Sequence, residues 1–370
     1  TPAAIGQQLN AAFVLTGSLR RAGARLRINA QLVDTHTDFP VWSERYDREM
    51  KDVFEVQDEI ARKIADALRV TLSPQEEAAL ARKPTADSNA YDLYLRGKSY
   101  ARRVARKDLE FALQMLENAV VIDPDFALAH ATIATVCAKY HYHYDRGGKW
   151  IDRAREAARR AAQLRPDLPE AQVAEGWILL AEAKYAEAVD IARAVIERNP
   201  DTESVYYLLG RTLFTSGRYH EAAAIAEDAI KAAGDDYNIY IPLIMAAGAL
   251  GKEEAMRNLR VRQAEVIERH LKEIPEDGRA RSLLSSNYAA MGRVEDAMRE
   301  AHVAVAMRPD DTIVLYNVAC AYSQLGKKRE AVDALRRALE RGAIDSAWIR
   351  RDPELEVLHG DPEFERLFPA

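Results

Sequence analysis

The densest group of chemically able side chains is His141-Tyr142-His143-Tyr144-Asp145, with His130 a few helical turns earlier. Two imidazoles and a carboxylate are a ligand set for a divalent metal such as zinc. The same residues also make a polar, aromatic loop tip, and the expectation is that no metal is bound. Nothing else points to catalysis. There is no phosphate-cradling G-x-x-x-x-G-K-[ST], no G-x-G-x-x-G after a strand, no H-E-x-x-H and no G-x-S-x-G. The acidic residues spread along helix faces without an evident acid–base pair. No catalytic residue is assigned, no cofactor is expected, and the chain is expected not to be an enzyme. Cys137 and Cys320 lie in apolar helical stretches without zinc-ligand spacing. They read as two small buried hydrophobes, which fits a reducing compartment and a cytoplasmic location.

Composition narrows the classes further. The 370 residues carry 52 Lys and Arg against 58 Asp and Glu, a net charge of −6. Nucleic-acid binding needs clustered positive charge; local stripes such as Arg153, Arg155, Arg159 and Arg160 read as a solvated helix face, so no nucleic-acid partner is expected. No run of 18 apolar residues occurs and no charged-then-apolar leader opens the chain, so no membrane insertion or export is expected.

What positions these side chains is a period of 34 residues. Pro166, Pro200 and Gly234 stand 34 apart, as do Pro275 and Pro309. Small residues recur in phase: Ala154, Ala158 and Ala161; Ala188 and Ala192; Ala222, Ala226 and Ala229; Ala297, Ala301 and Ala304. This pattern resembles the tetratricopeptide repeat, whose unit is a pair of antiparallel helices, A and B. Residues 85–343 then form about seven hairpins in a right-handed superhelix, and residues 344–370 form short capping helices. Two units are too long: Pro124 to Pro166 spans 42 residues and Gly234 to Pro275 spans 41. The excess is close to two helical turns. It falls near residues 140–150 in unit two and in helix B, 253–274, of unit five, and both hairpins are expected to protrude. In the C-terminal segment Asp352-Pro353 and Asp361-Pro362 each open a short helix with Pro at the first position. Trp348, Leu355, Leu358, Phe364 and Leu367 are its expected core contacts.

The resemblance implies a concave groove lined by helix A. Mapped onto this chain, its groove positions include Tyr94, Lys98, Trp177, Tyr207, Arg211, Phe214 and Tyr316. Aromatics with a few bases suit a peptide or protein ligand with apolar anchors and some acidic groups. The Lys/Asn clamp of carboxylate-binding repeat grooves is not evident, because the matching asparagines are missing.

Residues 1–84 follow another rule. Phe13, Leu15, Gly17 and Leu19 alternate with polar neighbours, and so do Leu26, Ile28, Ala30 and Leu32 after the turn Ala22-Gly23-Ala24. Val41–Tyr46 makes a third strand. Asp52 caps a helix carrying Val53, Val56, Ile60, Ile64 and Ala67 on one face, and Ser73-Pro74 ends or interrupts it. The fold class is therefore mainly α, preceded by a small α+β domain: an antiparallel three-stranded meander plus a helix.

Four segments carry a resemblance: Phe13–Arg21, Arg27–Asp34, Trp42–Arg48 and Val53–Ile60. They are similar, in order, to the second half of the TolB amino-terminal-like (FlgO-like) domain. That resemblance implies that the domain's opening strand and helix lie upstream of Thr1. It also implies a bacterial signalling context, since such domains precede tetratricopeptide arrays in class III adenylate cyclases, Ser/Thr kinases and winged-helix regulators. The expected function is a non-catalytic interaction module, the regulatory or sensory arm of such a protein. The alternatives are the C-terminal regulatory part of a nucleotide cyclase or kinase, or of a winged-helix regulator. An unpaired strand edge in the N-terminal sheet makes a homodimer a further expectation.

Overall fold

A computed structural model describes residues 2–9, 11–23, 25–49, 53–69, 83–341, 349–350 and 352–368. The chain divides into two compact units, Thr1–Asp92 and Leu93–Ala370.

The first unit opens with α1 (Pro2–Leu9), followed by β1 (Phe13–Ala22), β2 (Arg25–Asp34), β3 (Phe39–Glu49) and α2 (Val53–Ala67). The strands form one antiparallel sheet in the order β1-β2-β3. Alternation sets the register: Leu15 faces Leu32, which faces Trp42, and Leu19 faces Ile28, which faces Tyr46. The third strand is longer than Val41–Tyr46 because Phe39 and Pro40 already pair with β2. Helix α2 packs on β3 and buries Val56 with Leu26, Leu32 and Tyr46. That cover stops short of β1, where Leu15 and Leu19 remain 52% and 63% exposed. Asp52, Ser73 and Pro74 lie outside the described residues.

The second unit is an array of helical hairpins. Unit one is α3 (Ser88–Arg103) and α4 (Arg106–Ile122); unit two is α5 (Ala127–His143) and α6 (Gly148–Leu164). Units three and four are α7 (Pro169–Ala181) with α8 (Tyr185–Arg198), and α9 (Val205–Thr215) with α10 (Tyr219–Ala224) and α11 (Ala226–Ala233). Unit five is α12 (Tyr240–Ala249) and α13 (Glu253–Glu273); unit six is α14 (Gly278–Ala290) and α15 (Val294–Met307). Unit seven is α16 (Thr312–Gln324) and α17 (Lys328–Arg341). Small residues make the close packing possible. A Cβ on Gly97 would lie 2.7 Å from Leu116 Cγ, and Ala154, Ala161, Ala188, Ala192, Ala297, Ala301 and Ala304 are fully buried. Each leaves room for the facing helix that a larger side chain would take.

Six of the seven hairpin turns share one device. Just past helix A the backbone turns left-handed: units four to seven place Gly217, Gly251, Gly292 and Gly326 there, and unit three places Ala183. Unit one places Val104, with φ 58°, at this point. A β-branched side chain seldom tolerates that conformation, so surrounding contacts must hold it.

The long units behave differently from one another. Unit five lengthens helix B, and α13 runs 21 residues. In unit two the excess is shared, so that α5 and α6 are each 17 residues. The end of α5 does not simply protrude, as the spacing had suggested, because Tyr144 is buried within the array. At the C-terminus Asp352 and Asp361 cap a 3₁₀ turn (Pro353–Leu358) and α18 (Pro362–Glu365). Ile349, Leu355, Leu358, Phe364 and Phe368 close over the last hairpin's core. Leu367 packs at its edge, and Trp348 lies outside the described residues.

Candidate functional site: the interior of the array

The array closes on itself. The turn between α3 and α4 is seated against units two, five, six and seven. Tyr144 donates its hydroxyl to the Val104 carbonyl at 2.9 Å, and Asn238 Nδ2 donates to the Arg102 carbonyl at 3.0 Å. Arg308 pairs with buried Asp108 at 3.2 Å, and Arg103 reaches both Asp108 and Glu276. Val104 and Ala105 are fully buried.

Asp311 joins the two ends. Its Oδ1 accepts the backbone N–H groups of Ile313 and Val314, which caps α16. Its Oδ2 accepts the N–H of Arg106 at 2.7 Å, at the start of α4. Helix α4 has no local side-chain cap. Asp311 therefore satisfies orphan donors of two helices at once, and its charge complements both helix N-termini.

Asp277 is a second hub. It caps α14 through the N–H groups of Arg279 and Ala280 and accepts the Tyr237 hydroxyl at 2.9 Å. His270 Nε2 lies 2.9 Å from Oδ2, the oxygen that also accepts the Tyr237 hydroxyl. Burial would push this carboxyl up, but His270, the Ala280 N–H and Tyr237 outweigh burial and hold it below the ordinary value.

Between these hubs lies a cationic and aromatic interior. Trp177 and Tyr207 pack ring to ring at 5.4 Å, and the Lys139 ammonium sits 4.9 Å and 5.7 Å from their centroids. Burial pushes Lys139 down to about 8; Arg279 and Arg102 add to this, while Asp236 and Glu203 oppose it. The Arg211 guanidinium lies 5.6 Å from the Tyr142 ring, and the Tyr142 hydroxyl is 3.3 Å from Thr215 Oγ1. Burial alone would raise the Tyr142 phenol. The Arg211 charge and the Thr215 hydrogen bond prevail, so it titrates below its ordinary value. Burial, then Arg211, Arg279, Lys139 and Arg146, push His143 well below the usual imidazole range.

The seven groove residues read from the sequence do not form one open surface. Tyr94 is buried against Phe126, with ring centroids 5.0 Å apart. Trp177 and Tyr207 are enclosed as well, because the inner faces of successive A helices meet there. Lys98 is half-buried and pairs with Glu203 at 2.5 Å. Tyr316 donates its hydroxyl to Asp352 of the C-terminal segment. Arg211 and Phe214 are half-buried; Arg211 lies over the Tyr142 ring and Phe214 packs against Tyr219 at 5.3 Å between ring centroids. The structure thus brings Trp177 and Tyr207 together around Lys139, sets Arg211 over the Tyr142 ring and occupies Tyr316 elsewhere.

The histidine cluster does not converge. His141 Nδ1 lies 3.3 Å from the Gly147 carbonyl, and His130 Nε2 lies 3.0 Å from that of Pro124. Asp145 accepts from Gly147 N–H and Trp150 Nε1, and His143 faces cations.

Sequence reasoning missed Lys139, Arg279 and Asp311, and read Tyr144 only as part of the His141–Asp145 cluster. One signal was present: Lys139 is a lone charge in the apolar run Val136-Cys137-Ala138-Lys139-Tyr140. A buried lysine that no carboxylate reaches lowers stability. Lys139→Met keeps the volume, and we expect it to stabilise the array by about 1–2 kcal/mol at pH 7. The sign with pH follows from the lowered value. The penalty is complete below about 8. It fades as pH rises toward the unfolded lysine value of about 10.4. Thermal unfolding of both proteins at pH 7 and pH 10.5 should show a gap that shrinks at the higher pH; a less stable variant at pH 7 would contradict it.

Comparison with known proteins agrees with this architecture. The family model described as Tetratricopeptide repeat matches residues 179–243 and 313–341. A Rhizobium meliloti (strain 1021) protein provisionally named adenylate cyclase 3 is 40% identical over 132 residues, which is 36% of this chain and 22% of that protein. A chloroplastic protein of Arabidopsis thaliana is 32% identical over 83 residues, 22% of this chain and 25% of that one. The chain thus spans about a quarter or less of the length of these curated relatives. Among solved structures, human IFIT1, a dimer with m7Gppp-AAAA, superposes with a TM-score of 0.51 at 13% identity. That match covers 84% of this chain and 74% of that one, and it is a likeness of fold. The helical unit is a tetratricopeptide repeat array preceded by a three-stranded antiparallel sheet and helix. Such repeats mediate protein and peptide binding. Among the described residues no helix is long and apolar enough to cross a membrane.

Proposed function

We propose that this chain recognises a protein or peptide rather than catalysing a reaction, and that it is the regulatory or sensory arm of a bacterial signalling protein. The observation that carries the recognition reading is the half-exposed interior rim of Tyr142, His143, Arg211 and Phe214. It combines aromatic surface with positive charge inside a tetratricopeptide array. A ligand with an aromatic or aliphatic anchor and acidic neighbours complements it. Peptides selected from a displayed library against the chain are expected to share that composition. Phe214→Ala and Arg211→Glu should each weaken the best binder tenfold or more, about 1.4 kcal/mol. Undiminished binding to both variants would overturn the assignment.

The signalling context draws support from the identity with the Rhizobium meliloti protein and from the four segments similar to the TolB amino-terminal-like domain. On this reading the parent is a nucleotide cyclase; a kinase or a winged-helix regulator are the other parents considered. The reading frame around this segment decides between them: a cyclase domain supports the first, a kinase or winged-helix domain replaces it.

The same proposal includes self-association through the N-terminal sheet. Strand β1 is an edge, and Leu15 and Leu19 stand exposed on it. Sedimentation equilibrium should show a dimer that Leu19→Lys dissociates. A monomer at high concentration would exclude it.

A further inference from the structure

The interior holds more hydrogen-bond donors than acceptors. Lys139 is 4% exposed and, among the described residues, has no carboxylate within 4 Å and no hydrogen-bond acceptor. The rings of Trp177 and Tyr207 lie against its ammonium. Among the described residues, Trp177 Nε1 and His143 Nε2 are buried without a partner. Arg279, 3% exposed, donates to the neutral Asn238 side chain and forms no ion pair among the described residues. It lies within electrostatic reach of both Lys139 and Arg211.

The nearby carboxylates are committed elsewhere. Glu203 takes Lys98 and Arg102, both at 2.5 Å. Asp236 accepts from the Asn238 backbone and side-chain amides. Asp277 serves Tyr237, His270 and the start of α14. The low-titrating Tyr142 phenol and His143 imidazole both report the positive field left behind.

Buried polar groups are normally satisfied, so convergent unmatched donors call for a guest that only accepts. Its charge must answer two cations, Lys139 and Arg279, that form no ion pair among the described residues. A carboxylate supplies one negative charge. A phosphoryl group supplies about 1.5 to 2 at neutral pH, with three strong acceptor oxygens. We propose that the array interior binds a phosphoryl group between Lys139 and Arg279, with Trp177 and Tyr207 as its aromatic floor. An aromatic substituent on the phosphate would stack on that floor. The unmatched lysine then has a use: it lowers stability in the empty array and supplies charge to the guest.

Isothermal titration of the full 370-residue chain with inorganic phosphate, phenyl phosphate and benzoate is the test. Saturable binding of both phosphates is expected, with benzoate at least tenfold weaker than phenyl phosphate. Lys139→Met and Arg279→Met should each weaken phenyl phosphate tenfold or more while keeping the helical circular-dichroism signal. The exposed-site control Arg299→Met should bind as the parent does. Benzoate binding as tightly as phenyl phosphate, no phosphate binding at millimolar concentration, or unchanged affinity in the folded Lys139→Met variant would overturn the proposal. It stands apart from peptide recognition: Phe214→Ala tests that reading and Lys139→Met tests this one, so either can fail alone.

Discussion

Replacing Asp311 with alanine should destabilise the array by about 3 kcal/mol and loosen its first hairpin before the rest. The carboxylate caps α16 through Ile313 and Val314 and receives Arg106 N–H from the start of α4. Losing a cap costs about 1 kcal/mol, and losing a buried bond to a charged acceptor about 1.5–3 kcal/mol. Because stability in a repeat array is largely a sum over neighbouring units, the damage should concentrate where this bond is the link. Arg103, Val104 and Ala105 should become accessible to protease, whereas α7 to α9 should unfold only with the bulk. Limited proteolysis with mass readout, alongside urea unfolding, checks both parts. Uniform loss of all units together would point instead to a purely local cap.

Trp177→Ala should cost about 4 kcal/mol, in the range for truncating a fully buried aromatic. Trp177 is among the largest fully buried side chains of the protein, and its ring supports both Tyr207 and the Lys139 ammonium. The sequence pattern alone reads Trp177 as a groove position that contacts a ligand. Chemical denaturation separates the two: a variant as stable as the parent would return Trp177 to the surface.

The architecture was largely legible beforehand because periodicity reports local geometry. A 34-residue period with in-phase alanines specifies paired helices, and strict alternation in residues 13–32 specifies two strands and their register. Asp-Pro steps announced the two C-terminal turns for a similarly local reason: Asp caps and Pro fits the first helical position. The interior was less legible. Whether Trp177 and Tyr207 line an open groove or pack on neighbours depends on how tightly the array winds, which is a sum of small rotations between units. That curvature brings Asp311 to Arg106 and Tyr144 to Val104, and no sequence spacing encodes such long-range pairs. Val104 was the nearest clue. It occupies the left-handed turn position where later units use glycine, so its contacts, rather than its own preference, set the backbone there. Arg211 and Phe214 are half-buried, one and two turns beyond the enclosed Tyr207.

Closure of the array through its first hairpin is the central claim, and one amide reports it. Arg106 is the first residue of α4, so its N–H has no partner within the helix and bonds only to Asp311, at 2.7 Å. Residue-resolved hydrogen exchange should find this amide slowed by about a hundredfold or more, with protection lost in Asp311→Ala. Exchange of the Arg106 amide at the rate of an unprotected helix start, with or without Asp311, would contradict the closed array.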